Sequence, residues 1–243
     1  MLGVELGNVQ SLRAQRPKQV RRAPTRAGTF SLLKEVQAQG DFAVSLAVRL
    51  LYGCGLRVTE ALSVRIKDMD LSCPQLTVRA GKGGKDRVVS IPCAVLEDLR
   101  EQMESARVVW KRDGANGVPV ALPEQLAKKY PAAQFDWNWA WLFPAHRPCL
   151  DVKAVYGPSE SRPTGLVRWR LHEANVQRAV RQASRKTGVF ILPHELRHAY
   201  ATHCLNRGAN PRAIQEVMGH KSLETTMGYL HAEALSVSSP LDG

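Results

Sequence analysis

The chain has 243 residues, 44% of them hydrophobic, and a formal net charge of +12 from 34 Lys and Arg against 22 Asp and Glu. This size suits one large globular domain or two small ones, and no apolar run approaches the roughly 20 residues that span a bilayer. With no N-terminal targeting signal visible, we expect a cytoplasmic protein. Five scattered cysteines without a C-x-x-C pair argue against a disulfide framework or a cysteine zinc site. The basic excess favours a polyanionic partner such as nucleic acid, although a merely soluble basic protein also fits.

Residues 1–28 form the first segment, in which basic residues, prolines and glycine show little apolar periodicity. Such a segment buries too little surface to order itself, so we predict an irregular basic arm, either laid on a phosphate backbone or solvated. From Phe42 the apolar spacing predicts an amphipathic helix that ends at Gly53 and Gly55. Arg57 then lies at the start of a second short helix, where free backbone N–H groups favour an anion. An ordinary surface arginine is the alternative.

Two short apolar runs, residues 76–78 and 87–91, flank the sequence GKGGK at residues 81–85, which we call the lysine turn. The pattern predicts a β-hairpin whose turn is either solvated or delivers a cation to a phosphate. It is not a nucleotide P-loop, because the glycine spacing differs and Asp86 follows the second lysine. A long helix is predicted from residue 95 to residue 110.

The segment 113–168 is rich in prolines and loops, and its aromatic residues alternate as they would in a strand: Trp137, Trp139, Trp141 and Phe143. Such rings either fill a core or stack on unpaired bases. A helix follows over residues 171–186, and one of its faces carries a row of arginines: Arg178, Arg181 and Arg185. This row suits a nucleic-acid backbone, although a solvated face is the usual explanation.

The last third of the chain, from His194 to Tyr229, contains three helical patterns separated by two breaks. In the first pattern His194, Arg197 and His198 share one helical face. The helix boundaries are predicted from capping residues: Gly208 at the first end, Asn210 and Pro211 at the second start, Gly219 at the second end, and Ser222 at the third start.

The string HELRH at residues 194–198 satisfies HExxH, in which two histidines bind zinc and the glutamate activates water. Glu216 or Glu224 could be offered as a third ligand. Arg197 argues against this alternative, because it brings a positive charge to the helix that would hold Zn²⁺. The zinc hypothesis also leaves the basic surface unexplained.

The other interpretation is cleavage of a phosphodiester without a metal, which needs a nucleophile, cations on the phosphate oxygens and an acid for the leaving oxygen. Tyr229 can supply a phenolic oxygen. Arg57 and Arg197 can each bind phosphate oxygens through the guanidinium fork. The proton donors would be one lysine and two histidines: Lys82, His194 and His220.

The motifs GCGLRVTEAL, GKGGKDR, HELRHAYATH, MGH and TTMGY resemble those of the catalytic domain of tyrosine recombinases, the phage integrase family, over residues 46–231. This resemblance implies a mostly α fold with a small antiparallel β-sheet (α+β) near residues 75–91. It implies DNA cleavage and rejoining without metal, cofactor or ATP, through a 3′-phosphotyrosyl intermediate. The implied catalytic residues are the nucleophile Tyr229, the phosphate-binding Arg57 and Arg197, the leaving-group acid Lys82 with Lys85 as back-up, the acid–base His194 and the hydrogen-bonding His220.

A narrower resemblance, to integron integrases, rests on the insert at about residues 115–172 and on the strings LHEANVQRAVRQAS and SPLD. It implies gene-cassette recombination sites as the DNA partner, including folded single strands whose extrahelical bases the insert holds. Glu195 stands where the family usually has threonine, and Trp169 and Arg170 stand where this subfamily has paired histidines. The predicted DNA contacts are Lys85, Arg87, Trp139, Arg168, Arg178, Arg181 and Arg185.

The family usually carries an N-terminal helical DNA-clamping domain of about 100 residues, and here only the basic arm stands in its place. We therefore expect residues 29–243 to form the catalytic domain, with residues 1–28 as a remnant linker and the clamping domain lacking. The implied assembly is a monomer in solution and a homo-tetramer on DNA. The alternatives are a truncated, catalytically weak or inactive DNA-binding remnant and, more remotely, a zinc hydrolase.

Overall fold

The computed structural model describes residues 23–79, 86–150 and 165–219. Its helices are α1 (Arg26–Ala38), α2 (Phe42–Gly53), α3 (Val58–Leu62), α4 (Leu96–Ala115), α5 (Glu124–Lys129), α6 (Glu173–Thr187), α7 (Pro193–Leu205) and α8 (Pro211–Met218). Its strands are β1 (Met69–Asp70), β2 (Gln75–Val78), β3 (Arg87–Ser90), β4 (Cys149–Leu150) and β5 (Leu166–Val167). The predicted class, mostly α with a small antiparallel sheet, is confirmed.

Helix α2 lies at the centre of the core and confirms the predicted amphipathic helix. Asp41 begins it by accepting a hydrogen bond from the Val44 amide at 3.0 Å. Leu46, Leu50 and Leu51 are almost completely buried. Helices α1, α3, α6 and α7 pack against α2. Helix α3, which follows Arg57, and helix α7, which carries Arg197, are therefore both positioned by α2.

Helix α1 corrects the predicted extent of the basic arm. Residues 26–28 belong to its first turn, and residues 1–22 lie outside the described residues. Thr25 begins the helix by accepting a hydrogen bond from the amide three residues later, at 3.1 Å. The first apolar side chain that α1 buries is Leu32. The apolar residues that α1 buries therefore all lie after residue 28. For this reason the apolar spacing of residues 1–28 could not indicate that a helix begins at Arg26.

The predicted hairpin is confirmed as strands β2 and β3 of an antiparallel sheet with the order β1-β2-β3. Thr77 pairs with Val88, and the side chains of Leu76, Val78 and Val89 are buried. Buried and exposed residues alternate here because one face of the sheet packs on the core. The lysine turn between the two strands lies outside the described residues.

The aromatic row of the insert forms a turn and a loop, so the predicted strand is wrong. Asp136 accepts a hydrogen bond from the Asn138 amide at 2.9 Å and starts a 3-10 turn over Trp137–Trp139. This local aspartate bond competes with extended backbone, which is why alternation alone misled. Trp141 and Phe143 are buried, so these two rings do fill the core.

The break between α7 and α8 and the end of α8 agree with the predicted capping residues, whereas Ser222 lies outside the described residues. Gly208, with φ +84°, separates α7 from α8. Asn210 accepts a hydrogen bond from the Arg212 amide at 2.8 Å, and Gly219, with φ +58°, ends α8. Of the described helices, none combines the length and the apolar content that crossing a membrane requires.

Candidate active site

Arg57 lies at the N-terminal end of α3, as predicted. Its backbone amide donates to Oε2 of Glu60 at 2.8 Å, and its Nη1 atom donates to Oε1 of the same side chain at 2.5 Å. Glu60 sits in the first turn of α3, and its side chain is only 8% exposed. The same carboxylate therefore begins the helix and fixes the direction of the arginine.

Arg197 reaches this carboxylate from α7. Its side chain is buried, and its Nη1 atom lies 3.5 Å from Oε2 of Glu60. Nη1 also donates to the carbonyl oxygen of Gly55 at 2.5 Å, while Nη2 donates to the carbonyl oxygen of Met218. The fold thus brings together the two arginines predicted to bind phosphate, although helices α4 to α6 separate them in the chain.

Glu60 is a site residue that the sequence analysis missed. Besides Arg57 and Arg197 it binds Arg87 of β3, whose Nη2 and Nη1 atoms donate to Oε2 and Oε1 at 2.8 and 3.1 Å. Burial opposes the charged form, but the hydrogen bonds from Arg87 and Arg57 and the nearby positive charges outweigh it and lower the pKa of Glu60 to about 2. A signal was available, because a glutamate three residues after a helix cap is the spacing of a capping box.

The C-terminal end of α8 joins the same cluster. A helix leaves its last four carbonyl oxygens without partners inside the helix. The amide of Gly219 donates to the first two of them. Arg87 Nε donates to the carbonyl of Val217 at 2.6 Å, and Arg197 donates to the carbonyl of Met218. Two site arginines therefore hold the helix end that leads into the MGH motif.

Gly55 allows the close approach between the loop before α3 and helix α7. Its φ is +63°, and a Cβ atom at this position would lie only 2.6 Å from Cδ1 of Tyr200. Tyr200 lies on α7 three residues after Arg197, and burial raises the pKa of its hydroxyl. Because the ring of Tyr200 packs directly on this backbone, the Gly55 carbonyl lies within hydrogen-bonding distance of Arg197.

The HExxH residues lie in the first turns of α7. His194 is exposed, and its ring meets that of His198 edge to face with centroids 6.1 Å apart. Oε2 of Glu195 accepts a hydrogen bond from the Leu192 amide at 2.7 Å, so the carboxylate caps the helix. Among the described residues no three His, Cys, Asp or Glu side chains are grouped to hold a metal ion. Glu224 lies outside them.

Four predicted site residues lie outside the described residues: Lys82, Lys85, His220 and Tyr229. The described part of the site consists of the two arginines that meet at Glu60 and of His194 at the start of α7. The roles of the other four residues stay predictions.

Two of the predicted DNA contacts, Arg87 and Arg168, lie in the interior. Arg168 is 2% exposed, and it donates to both oxygens of Asp113 at 2.5 and 2.7 Å and to the carbonyl of Ala145 at 2.6 Å. The side chain of Arg87 is 11% exposed and bound to Glu60. The structure corrects both assignments, because these guanidinium groups pair with protein acceptors rather than face solvent.

The arginine row of α6 is exposed, as a nucleic-acid contact requires. Arg178, Arg181 and Arg185 line a surface groove of about 540 Å³ together with Gln182 and Lys186. The other face of α6 packs Val176, Ala179, Val180 and Ala183 into the core, as predicted.

Trp139, the predicted base-stacking residue, is half-buried, and basic side chains lie close to its ring. Lys67 Nζ lies 2.9 Å from a ring centroid, and Arg65 Cζ lies 5.6 Å from it. At the two positions that depart from the subfamily pattern, Trp169 is 40% exposed, and Arg170 pairs with Glu173 at 3.0 Å.

Comparison with known proteins assigns the chain to a family. The family model described as "Phage integrase family" matches residues 30–235, so the chain belongs to this family. An integrase/recombinase of Escherichia coli is 38% identical over 204 residues, which cover 81% of this chain and 58% of that protein. The tyrosine recombinase XerA of Pyrococcus furiosus is 32% identical over 202 residues, which cover 83% and 54%. The chain thus spans little more than half the length of these relatives.

Solved structures show the same fold. The crystal structure of the XerA recombinase superposes with a TM-score of 0.59 at 24% identity, over 90% of this chain and 63% of that one. The XerH site-specific recombinase bound to a palindromic difH substrate gives 0.60 at 20% identity, over 94% and 54%. The catalytic domain of bacteriophage HP1 integrase gives 0.53 at 18% identity, over 88% and 89%.

Proposed function

We propose that the chain acts as a tyrosine site-specific recombinase, which cleaves and rejoins DNA strands. The observation that carries this proposal is the meeting of Arg57 and Arg197 on one buried carboxylate, Glu60, within a chain of the phage integrase family. With Arg87 on the same carboxylate, three guanidinium groups surround one negative charge. Their unbalanced positive charge suits a phosphodiester, because cations placed where negative charge develops stabilise the transition state.

The proposed reaction is a transesterification at the scissile phosphate. The oxygen of Tyr229 bonds to phosphorus, and the bond from phosphorus to the 5′ oxygen breaks, which leaves a 3′-phosphotyrosyl enzyme and a free 5′-hydroxyl. Arg57 and Arg197 stabilise the charge on the non-bridging oxygens. Lys82 protonates the leaving 5′ oxygen. His194, as acid–base, takes the proton from the Tyr229 hydroxyl, and His220 donates a hydrogen bond to the phosphate. The reverse attack by a 5′-hydroxyl rejoins a strand, so ATP is not consumed.

The finer proposal is an integron-type substrate, a gene-cassette recombination site recognised as duplex DNA or as a folded single strand. Its support is Trp139 of the insert, which is half-buried at the surface, and Lys67, whose Nζ lies over one face of this ring. Aromatic rings next to cations are the usual platform for unpaired bases, at about 1–3 kcal/mol per base. We propose a monomer in solution and a homo-tetramer on DNA, the latter because strand exchange joins two sites that are each cleaved on both strands.

A covalent-trapping assay tests the function. The wild-type protein and Tyr229→Phe are incubated with nicked or hairpin cassette-site DNA and with a fully paired duplex control. We expect an SDS-resistant adduct for the wild type alone, formed faster on the folded strand. Equal adduct from the phenylalanine variant would overturn the nucleophile assignment. Salt-sensitive DNA binding without any adduct would instead identify a non-catalytic DNA-binding protein.

A further inference from the structure

We propose that Arg87 is a positioning residue that joins strand β3, helix α3 and the end of helix α8. The inference rests on the proposed recombinase function and assigns Arg87 a role other than DNA contact. Its side chain is 11% exposed. Its acceptors come from two elements: Glu60 in the first turn of α3 and the carbonyl of Val217 in the last turn of α8.

All three guanidinium nitrogens of Arg87 donate hydrogen bonds. Nη1 and Nη2 bind the two oxygens of Glu60 at 3.1 and 2.8 Å, and Nε donates to Val217 at 2.6 Å. A planar fork with fixed donors can hold two acceptors from different elements at once. Lysine has a single nitrogen on a flexible stem and cannot reproduce this arrangement.

Gly219 packs on Arg87 at the end of α8. A Cβ atom at Gly219 would lie 3.4 Å from Nη1 and 3.5 Å from Cζ of Arg87, so the guanidinium group lies directly against this backbone. A positive charge at a helix C-terminus is favourable, because the last carbonyls carry partial negative charge. Arg87 therefore holds the turn that immediately precedes His220 in the chain.

This position predicts an effect on the chemical step rather than on DNA binding. Val217 lies three residues before His220 and twelve before Tyr229 in the sequence. Without the bond from Arg87, the end of α8 can shift, and the start of the segment that carries His220 and Tyr229 shifts with it. A misplacement of a catalytic group by about 1 Å can slow catalysis about 10²-fold. DNA affinity should change little, because Arg87 binds protein acceptors.

The experiment compares Arg87→Gln and Arg87→Lys with a matched control, Arg168→Gln. Arg168 is also buried, also forks a carboxylate, that of Asp113, and also donates to a carbonyl, that of Ala145. Thermal unfolding first sets a temperature at which every protein is folded. At that temperature we measure the single-turnover rate of adduct formation at saturating cassette-site DNA, the Kd, and the slope of log K against log salt concentration.

We expect Arg87→Gln to form adduct about 10²-fold more slowly, with an unchanged salt slope. Arg87→Lys should also be slow, because it keeps the charge but loses the fork. Arg168→Gln should form adduct at the wild-type rate. If the salt dependence of binding became less steep by about 0.9 in Arg87→Gln and returned to the wild-type value in Arg87→Lys, Arg87 would be a phosphate contact and the proposal would be overturned. An unchanged adduct rate in Arg87→Gln would overturn it as well.

Amide hydrogen exchange separates this proposal from the recombinase function. If the wild type forms no adduct, the recombinase function fails, but exchange in α8, residues 211–218, still tests the role of Arg87. Faster exchange there in Arg87→Gln than in Arg168→Gln supports the positioning role, and equal exchange overturns it. Should Arg87→Gln not fold, the same comparison is made with Arg87→Lys.

Discussion

Arg197 and Glu60, 137 residues apart in the chain, approach to 3.5 Å in the interior of the protein. Arg57 and Arg87 bind the same carboxylate, at 2.5 and 2.8 Å. The residue before helix α3, strand β3 and helix α7 each contribute one arginine to this cluster, and α8 ends on it. The carboxylate organises the cluster, because it fixes the directions of the three guanidinium groups.

The first prediction concerns the stability of this cluster and its pH dependence. The pKa of Glu60 is lowered from 4.5 to about 2, so its charge contributes stability that is fully present above pH 4.5 and is lost as the pH falls towards 2. Glu60→Gln removes that charge and leaves buried arginines without it. We expect the free energy of unfolding to fall by about 3 kcal/mol at pH 7. The difference from the wild type should shrink between pH 4.5 and pH 2.

Urea unfolding of both proteins at a series of pH values measures this difference. Glu97→Gln is the control, since Glu97 also pairs with an arginine three residues away, Arg100, but is 87% exposed. Its effect should stay within about 0.5 kcal/mol. A gap between the wild type and Glu60→Gln that does not change with pH would contradict the low pKa of Glu60.

The second prediction separates backbone strain from close packing at Gly55. Gly55→Ala meets both a φ of +63° and the ring of Tyr200, whereas Gly40→Ala meets a φ of +83° with no atom within 4 Å of its Cβ. We expect Gly40→Ala to cost about 1 kcal/mol of stability and Gly55→Ala about 3 kcal/mol. Only Gly55→Ala should also slow adduct formation, because its carbonyl holds Arg197. Chemical denaturation and the trapping assay check this, and equal losses of stability would refute the packing argument.

The third prediction concerns the exposed row on α6. Replacing Arg178, Arg181 and Arg185 together by glutamine should weaken duplex binding. The slope of log K against log salt concentration should become less steep by about 2–3, since each phosphate contact contributes about 0.9. The control makes the same charge change on the exposed face of α4, at Arg100, Lys111 and Arg112. Binding isotherms between low and moderate salt measure both slopes. If the two triple variants lose the same slope, the α6 row is not a specific contact surface.

The fourth prediction concerns Glu195, the residue that creates the HExxH string. Its carboxylate accepts the Leu192 amide, so Glu195→Ala should cost about 1 kcal/mol of stability while Glu195→Gln costs less. Neither change should strengthen DNA binding much, because the charge is held at the helix end. Thermal unfolding and binding at one salt concentration provide the test. A tenfold gain in affinity for Glu195→Gln would show that the carboxylate faces the phosphate.

Local sequence patterns predicted the parts of the fold that local physics decides. Gly208 and Asn210 marked the break between α7 and α8, because a positive φ at glycine and side-chain capping by asparagine are both decided within a few residues. The hairpin followed from two short apolar runs on either side of a glycine-rich turn. The strand predicted from the alternating rings at residues 137–143 is wrong, because the side chain of Asp136 starts a 3-10 turn there.

Residues whose environment depends on distant partners could not be assigned from the sequence. Arg168 and Arg178 look alike in the chain, yet Arg168 is buried because Asp113, 55 positions away, folds against it. Arg87 differs from a surface arginine only through Glu60 and Val217. Pairing of this kind is a tertiary property, so the sequence could not separate arginines that bind protein acceptors from arginines that are exposed to solvent.

The proposed phosphotyrosyl chemistry is tested by trapping the protein on cassette-site DNA, digesting the complex and mapping the modified peptide by mass spectrometry. The wild type, Arg197→Lys and Tyr229→Phe are compared with and without a metal chelator. We expect a nucleotide joined through its 3′-phosphate to Tyr229, formed in the presence of chelator, reduced in Arg197→Lys and absent from Tyr229→Phe. A nucleotide on another residue, or DNA cleavage that stops when metal is removed, would contradict this chemistry.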